Sequence, residues 1–200
     1  MDVRGMLAEE RAELISLLRT LSDEEWEAPS LCDRWRVRDV VGHLLYDTIG
    51  LPTYGGIAVR CGLSVDRFNG RLVEKAKALS TEALVDKFEH AAGRVSKYAP
   101  RLALADVMVH QQDIRRPLGR ARTIPADRLI TVLEHPDPFA MPWRRTRGLR
   151  FVATDVSWSK GHGPEVRGPG EAIVLAVVGR AVAVDELTGD GVVELRRRCG

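Results

Sequence analysis

The stretch "DVMVHQQDIRRPLG", Asp106 to Gly119, carries the reading of the fold. Val107, Met108, Val109 and Ile114 supply the apolar content of a half-buried helix, and Pro117 with Gly119 ends it. Side chains four residues apart on a helix stand one above the other on the same face. Asp106 and His110 have that spacing, and Asp113 follows three residues later. One helix face therefore gathers two carboxylates and an imidazole, and a single metal ion can touch Asp106 and His110 together.

Working outward, the helix extends back through "RLALA" to Arg101. Before it, "STEALVDKFEHAAGRVSKY" (80–98) reads as a helix capped by Ser80 and stopped at Pro100. "SVDRFNGRLVEKAKAL" (64–79) is a further helical piece. In "RVRDVVGHLLYDTIGLP" (36–52), Val37, Val40, Val41, Leu44 and Leu45 recur at intervals of three and four, with His43 among them and Pro52 disfavouring simple continuation. The N-terminal "VRGMLAEERAELISLLRTL" (3–21) is another amphipathic helix, followed by a capping box formed by Ser22 and Glu25.

Downstream of about residue 145 the pattern changes. "GLRFVATDVSW" (148–158) is a strand candidate, "KGHGPEVRGPG" (160–170) a turn region, and a strand pair is expected there. "GEAIVLAVVGRAVAVDEL" (170–187) reads as one helix, and "DGVVELRRR" (190–198) as a terminal helix or strand. The expected architecture is mainly α: an antiparallel helical bundle over residues 1–143 and a small C-terminal α/β domain over 144–200. In a bundle, metal and cofactor sites are built from side chains that face inward on neighbouring helices.

Composition narrows the class. The chain has 200 residues, of which 44% are hydrophobic and 29% charged, enough for one full core with an appendage. Its longest apolar run, "AIVLAVVG" (172–179), is far short of the roughly 20 residues that span a bilayer. The N-terminus has no apolar signal segment, so a cytoplasmic protein is expected. Net charge is only +2, because acids nearly cancel the bases. Clusters such as "RRPLGRAR" therefore read as solvated surface, and neither nucleic acid nor membrane is an expected partner. Cys32, Cys61 and Cys199 are odd in number and contain no CxxC pair, which argues against a disulfide framework or a thiolate zinc site; they read as inert thiols.

His43, on a separate helix and flanked by Val41, Leu44 and Leu45, is the natural third ligand beside Asp106 and His110. Two His and one carboxylate leave a coordination position open, as in catalytic zinc sites. Asp39 also stands four residues before a histidine, His43. Its place in the first helical turn gives it a structural duty at the positive end of the helix dipole, whereas Asp106 sits mid-helix without one. Asp106 is the preferred ligand. Asp113 either orients the His110 imidazole or pairs with Arg116. His90, His135 and His162 have no assigned role.

Three segments, "LCDRWRVRDVVGHLLYD", "DVMVHQQDIRRPLG" and "GLRFVATDVSWSKGHGPEVRGPGEAIVLAVVGR", in that order and spacing, resemble the mycothiol-dependent maleylpyruvate isomerase family of actinobacteria, within the DinB-like superfamily of metal-binding helical bundles. The resemblance runs from about residue 7 to residue 195. It implies a DinB-like four-helix bundle with a small C-terminal α/β domain. It also implies Zn²⁺ or another divalent metal at His43, Asp106 and His110, and mycothiol as thiol cosubstrate at the open position. In such isomerases the thiolate adds to a cis double bond, rotation follows, and elimination gives the trans isomer. The basic residue near the end of the family's apolar helix corresponds to Arg180, which either holds a substrate carboxylate or complements the helix dipole. Trp158, Asn69 and Arg115 fall in similar motifs without a defined role. Many relatives have Glu where this chain has Asp106, and Arg36 stands where Ser or Thr commonly caps the second helix.

The function expected from these features is an isomerase or thiol S-transferase acting on a small electrophile that carries a carboxylate. The alternative is a non-catalytic metal- and thiol-binding stress-response module of the same fold. A monomer or homodimer is expected.

Overall fold

The computed structural model describes residues 2–49, 51–62, 64–90 and 94–200, which divide into two compact units, Met1–Ala121 and Arg122–Gly200. The first unit is helical. It contains α1 (Val3–Leu18), α2 (Asp23–Glu27), α3 (Val37–Leu44), α4 (Leu51–Arg60), α5 (Val65–Ala76), α6 (Thr81–His90), α7 (Arg94–Tyr98) and α8 (Pro100–Arg115). Four of these close a ring: α1 packs on α8, α8 on α3, α3 on α6, and α6 back on α1. These four helices form a four-helix bundle. α5 lies against the outside of α3.

α3 runs against α8, since Cys32 just before it meets Asp113 while Asp47 just after it meets Ser96. α1 instead runs alongside α8 in the same direction, with Arg4 reaching Lys97 and Glu10 receiving a hydrogen bond from Gln111. Antiparallel packing thus holds for α3 and α8 but not around the whole ring. The long α4–α5 excursion between α3 and α6 frees the bundle from strict up-down alternation.

Caps mark the helix starts as the sequence implies. Ser22 and Glu25 form the reciprocal box at α2, and Ser80 Oγ accepts from the Ala83 N–H ahead of α6. Arg36, in the cap position of α3, offers no acceptor; its own N–H donates to Asp39 Oδ2 at 3.0 Å, which gives Asp39 its structural duty in the first turn. Pro100 occupies the first turn of α8, where its missing N–H costs nothing. Residues 91–93, inside the helix expected over 80–98, lie outside the described residues.

α8 is buried more deeply than its sequence implies. Every residue from Ala103 to Ile114 is buried, the polar ones included. A helix buried all round belongs in a core, and buried polar groups there require partners.

The second unit begins earlier than the expected boundary at 143/144. α9 (Ala126–Glu134) packs on α11 (Gly170–Val177), which ties residues 126–134 to the C-terminal part of the chain. Between them lie α10 (Trp143–Thr146) and a three-stranded sheet of β1 (Arg150–Ala153), β2 (Ser159–Gly161) and β3 (Glu165–Gly168), in the order β2-β1-β3. β1 pairs antiparallel with β2 and parallel with β3, with Phe151 opposite Lys160 and Val166. The expected strand pair is thus part of a sheet.

The apolar run expected as one helix over 170–187 breaks at Gly179, whose φ of 101° favours glycine. A Cβ there would also stand 2.7 Å from Arg145 Nη2. Residues Ala181–Glu186 continue as a 3₁₀ helix, and α12 (Val192–Cys199) settles the terminal segment as helix. Among the described residues, no helix is long and apolar enough to cross a membrane.

Candidate metal centre

α3 and α8 cross at the site. His43, near the end of α3, and Asp106 and His110, one turn apart on α8, bring their side chains to one place. Asp106 Oδ1 lies 3.3 Å from His110 Nε2 and 3.6 Å from His43 Nε2. The two imidazole centroids are 4.8 Å apart, and the ring planes cross at 70°. Two ligand atoms at about 2.1 Å from a tetrahedral zinc ion stand roughly 3.4 Å apart, so the spacing fits one ion shared by all three groups. All three are buried; Asp106 is 8% exposed.

The polar bookkeeping points the same way. Asp106 Oδ2 and His43 Nδ1 are buried without a hydrogen-bond partner, an expensive arrangement for a carboxylate unless a cation satisfies it. The charges within the cluster are strongly coupled. Burial alone pushes the Asp106 carboxyl up, but the positive charge and hydrogen bond of His110, together with His43, outweigh it and hold the group far below the usual carboxylate range. Burial likewise pulls the His110 imidazole down, and the negative charge of Asp106, with contributions from Cys32 and Asp113, lifts it well above the usual histidine value.

Asp113 meets the His110 imidazole on its other nitrogen. His110 Nδ1 lies 2.9 Å from Asp113 Oδ2, and Asp113 is wholly buried. A carboxylate behind a ligand histidine fixes its tautomer and ring orientation and leaves Nε2 to face the cation.

Three residues with no sequence-level assignment border the same place. Trp35 lies with its ring centroid 5.3 Å from that of His43 and 6.4 Å from that of His110. The Tyr46 ring is 5.5 Å from His43, and its phenol is raised well above its usual pKa by burial and then by the negative charge of Asp106 and Asp47. Cys32 Sγ is 3.1 Å from Asp113 Oδ2, so the thiol read as inert belongs to the cluster. The only sequence signal for Cys32 and Trp35 is their place in the loop immediately before the helix that carries His43. Tyr46 follows His43 by three residues, the spacing of one helix face.

Comparison with known proteins bears on this geometry. Residues 7–49 match the family described as the mycothiol maleylpyruvate isomerase N-terminal domain, a segment that includes His43. Two solved structures, the mycothiol-dependent maleylpyruvate isomerase and a His-to-Ala mutant of it, superpose with a TM-score of 0.65 at 17% identity, covering 94% of this chain and 92% of theirs. The chain has the isomerase fold. No curated protein sequence matches it. The N-terminal part that resembles the isomerase family in sequence is also the part that supplies α3 and the loop bearing Cys32 and Trp35.

Arg180 lies in the second unit, just past the end of α11, where its Nη1 is 3.5 Å from Val178 O. That contact is one of several that the side chain makes. Trp158, also in the second unit, donates from Nε1 to Glu134 at 2.7 Å.

Proposed function

We propose that this protein is a metal-dependent, mycothiol-using enzyme of the maleylpyruvate isomerase type, with a divalent metal, Zn²⁺ by preference, held by His43, Asp106 and His110. The observation that carries the proposal is the single carboxylate oxygen of Asp106 standing 3.6 and 3.3 Å from two imidazole nitrogens, with its sister oxygen buried and unpartnered. Two neutral histidines and one carboxylate leave a zinc ion a net positive charge and an open position. When bound, such an ion lowers the pKa of a coordinated thiol and keeps it as thiolate at neutral pH.

The protein's own groups set the conditions for that chemistry. Asp113 holds His110 Nδ1 so that Nε2 faces Asp106. Trp35 and Tyr46 provide aromatic walls beside the two imidazoles. Such walls limit water around a nucleophile and strengthen the electrostatic interactions within the site. The reaction class is addition of the thiol sulfur to a small electrophile that carries a carboxylate, ending in elimination for an isomerase or retention of the thioether for an S-transferase. Arg180 is proposed as the residue that holds the substrate carboxylate, by a bidentate guanidinium contact.

The test is turnover. With maleylpyruvate and mycothiol, the zinc-loaded protein converts substrate to fumarylpyruvate. His43→Ala abolishes the conversion, and Arg180→Ala raises KM more than it lowers kcat. Zinc-loaded protein that leaves maleylpyruvate unchanged and consumes no mycothiol with a panel of carboxylated electrophiles would overturn the enzymatic reading in favour of a binding module.

A further inference from the structure

Cys32 stands behind the metal centre, on the side of the His110 ring away from Asp106. Asp113 Oδ2 accepts from the Cys32 thiol at 3.1 Å and from His110 Nδ1 at 2.9 Å, and Sγ is 3.7 Å from Nδ1. One oxygen atom therefore joins a thiol and an imidazole in a closed triangle. The loop that carries Cys32 is fastened separately to the same point of α8, because the Leu31 N–H donates to Asp113 O at 3.0 Å. Ser30 stiffens the loop: its Oγ accepts from the Cys32 N–H at 3.1 Å, and its N–H donates to Trp35 O at 3.0 Å.

We infer that Cys32 is a positioning residue for the metal centre: its S–H donates to Asp113 and fixes the carboxylate that in turn fixes the His110 ring. The inference rests on the metal-site reading above. Geometry excludes Cys32 as a fourth ligand to the same ion, since Sγ lies on the Nδ1 side of the imidazole and the shared cluster forms on the Nε2 side. It also gives a half-buried thiol among ionisable groups a defined donor role. Rotation of a carboxylate about its χ2 bond is broad and two-fold, and each donor on it narrows that swing. The Cys32 thiol adds a donor on the same oxygen that meets His110 Nδ1, and the orientation of His110 Nε2 sharpens with it.

The consequence is measurable as metal affinity, without reference to turnover. Zinc is titrated into metal-free protein against a chromophoric chelator, for wild type and for Cys32→Ser, Cys32→Ala and Cys32→Val. Loss of an outer partner of a metal-ligating histidine weakens binding about 10- to 100-fold. That loss is expected for Cys32→Ala and for Cys32→Val, which fills the sulfur's volume without a donor. Cys32→Ser, which keeps a donor, is expected to restore affinity close to wild type. Cobalt-loaded protein should show the same grouping, with the visible absorption bands shifted in the Ala and Val variants and restored in Ser. A purely structural role would lower the melting temperature of the metal-free variants and leave affinity and cobalt spectrum unchanged. Wild-type affinity in Cys32→Val, with tight binding in the wild type, overturns this inference alone; absence of zinc and cobalt binding in the wild type overturns it together with the metal site.

Discussion

At the scale of single residues, Asp106 governs both imidazoles. In the metal-free cluster His110 lies between two carboxylates, Asp106 on its Nε2 side and Asp113 on its Nδ1 side. Those acceptors outweigh burial and raise its pKa well above the histidine norm, which favours the ring protonated on both nitrogens in the metal-free cluster. A metal at Nε2 must displace the proton there, while the Nδ1 proton stays with Asp113. Zinc uptake at pH 7 is therefore expected to release about one proton from this residue, and affinity should fall about tenfold for each unit the pH is lowered. Calorimetry in buffers of different ionisation enthalpy checks this; uptake without proton release at pH 7 would contradict it. His43, Asp106 and His110 were legible in the sequence because one helical turn and one mid-helix histidine suffice to mark them. Cys32 and Trp35 were not, because they sit in a loop without periodicity and meet the site through tertiary contacts, whereas Tyr46 carried the three-residue spacing from His43. Asp113 was half legible: the spacing placed it near His110, and the fold supplies the 2.9 Å contact to the imidazole.

At the scale of elements, the site depends on how closely α3 is held. Gly42, one residue before His43, has no room for a side chain, since a Cβ there would lie 2.6 Å from the Ala76 Cβ on α5. Gly42→Ala trades a gain in helix propensity for overpacking, and the contact term dominates because two helices must separate. The variant is expected to lose about 1–3 kcal/mol of stability by chemical denaturation and to bind zinc more weakly; a variant as stable as wild type would show that α3 and α5 yield at no cost. The helices over 3–18, 37–44, 65–76, 81–90 and 100–115 could be anticipated from apolar periodicity and caps. α4 could not, because Pro52 reads as a stop for the preceding helix; it occupies the first turn of a new one, where proline is tolerated. α9 is only nine residues long and begins without a side-chain cap, so little announces it in the sequence, and the boundary expected at 143/144 falls after the one between the units.

At the scale of the molecule, the three proposed ligands all belong to the first unit, and 62 residues separate His43 from Asp106. The bundle exists around a buried helix whose core-facing residues include two Asp, a His and two Gln. Such a helix is a poor way to build a core and a good way to hold a cation, because buried charge is tolerated when it is paired or coordinates a metal. That trade is the central claim, and anomalous diffraction at the zinc edge from zinc-loaded crystals tests it most directly. One ion per chain is expected, about 2.0–2.2 Å from His43 Nε2, an Asp106 oxygen and His110 Nε2. An ion bound elsewhere, or crystals soaked in zinc with no anomalous peak between α3 and α8, would contradict it.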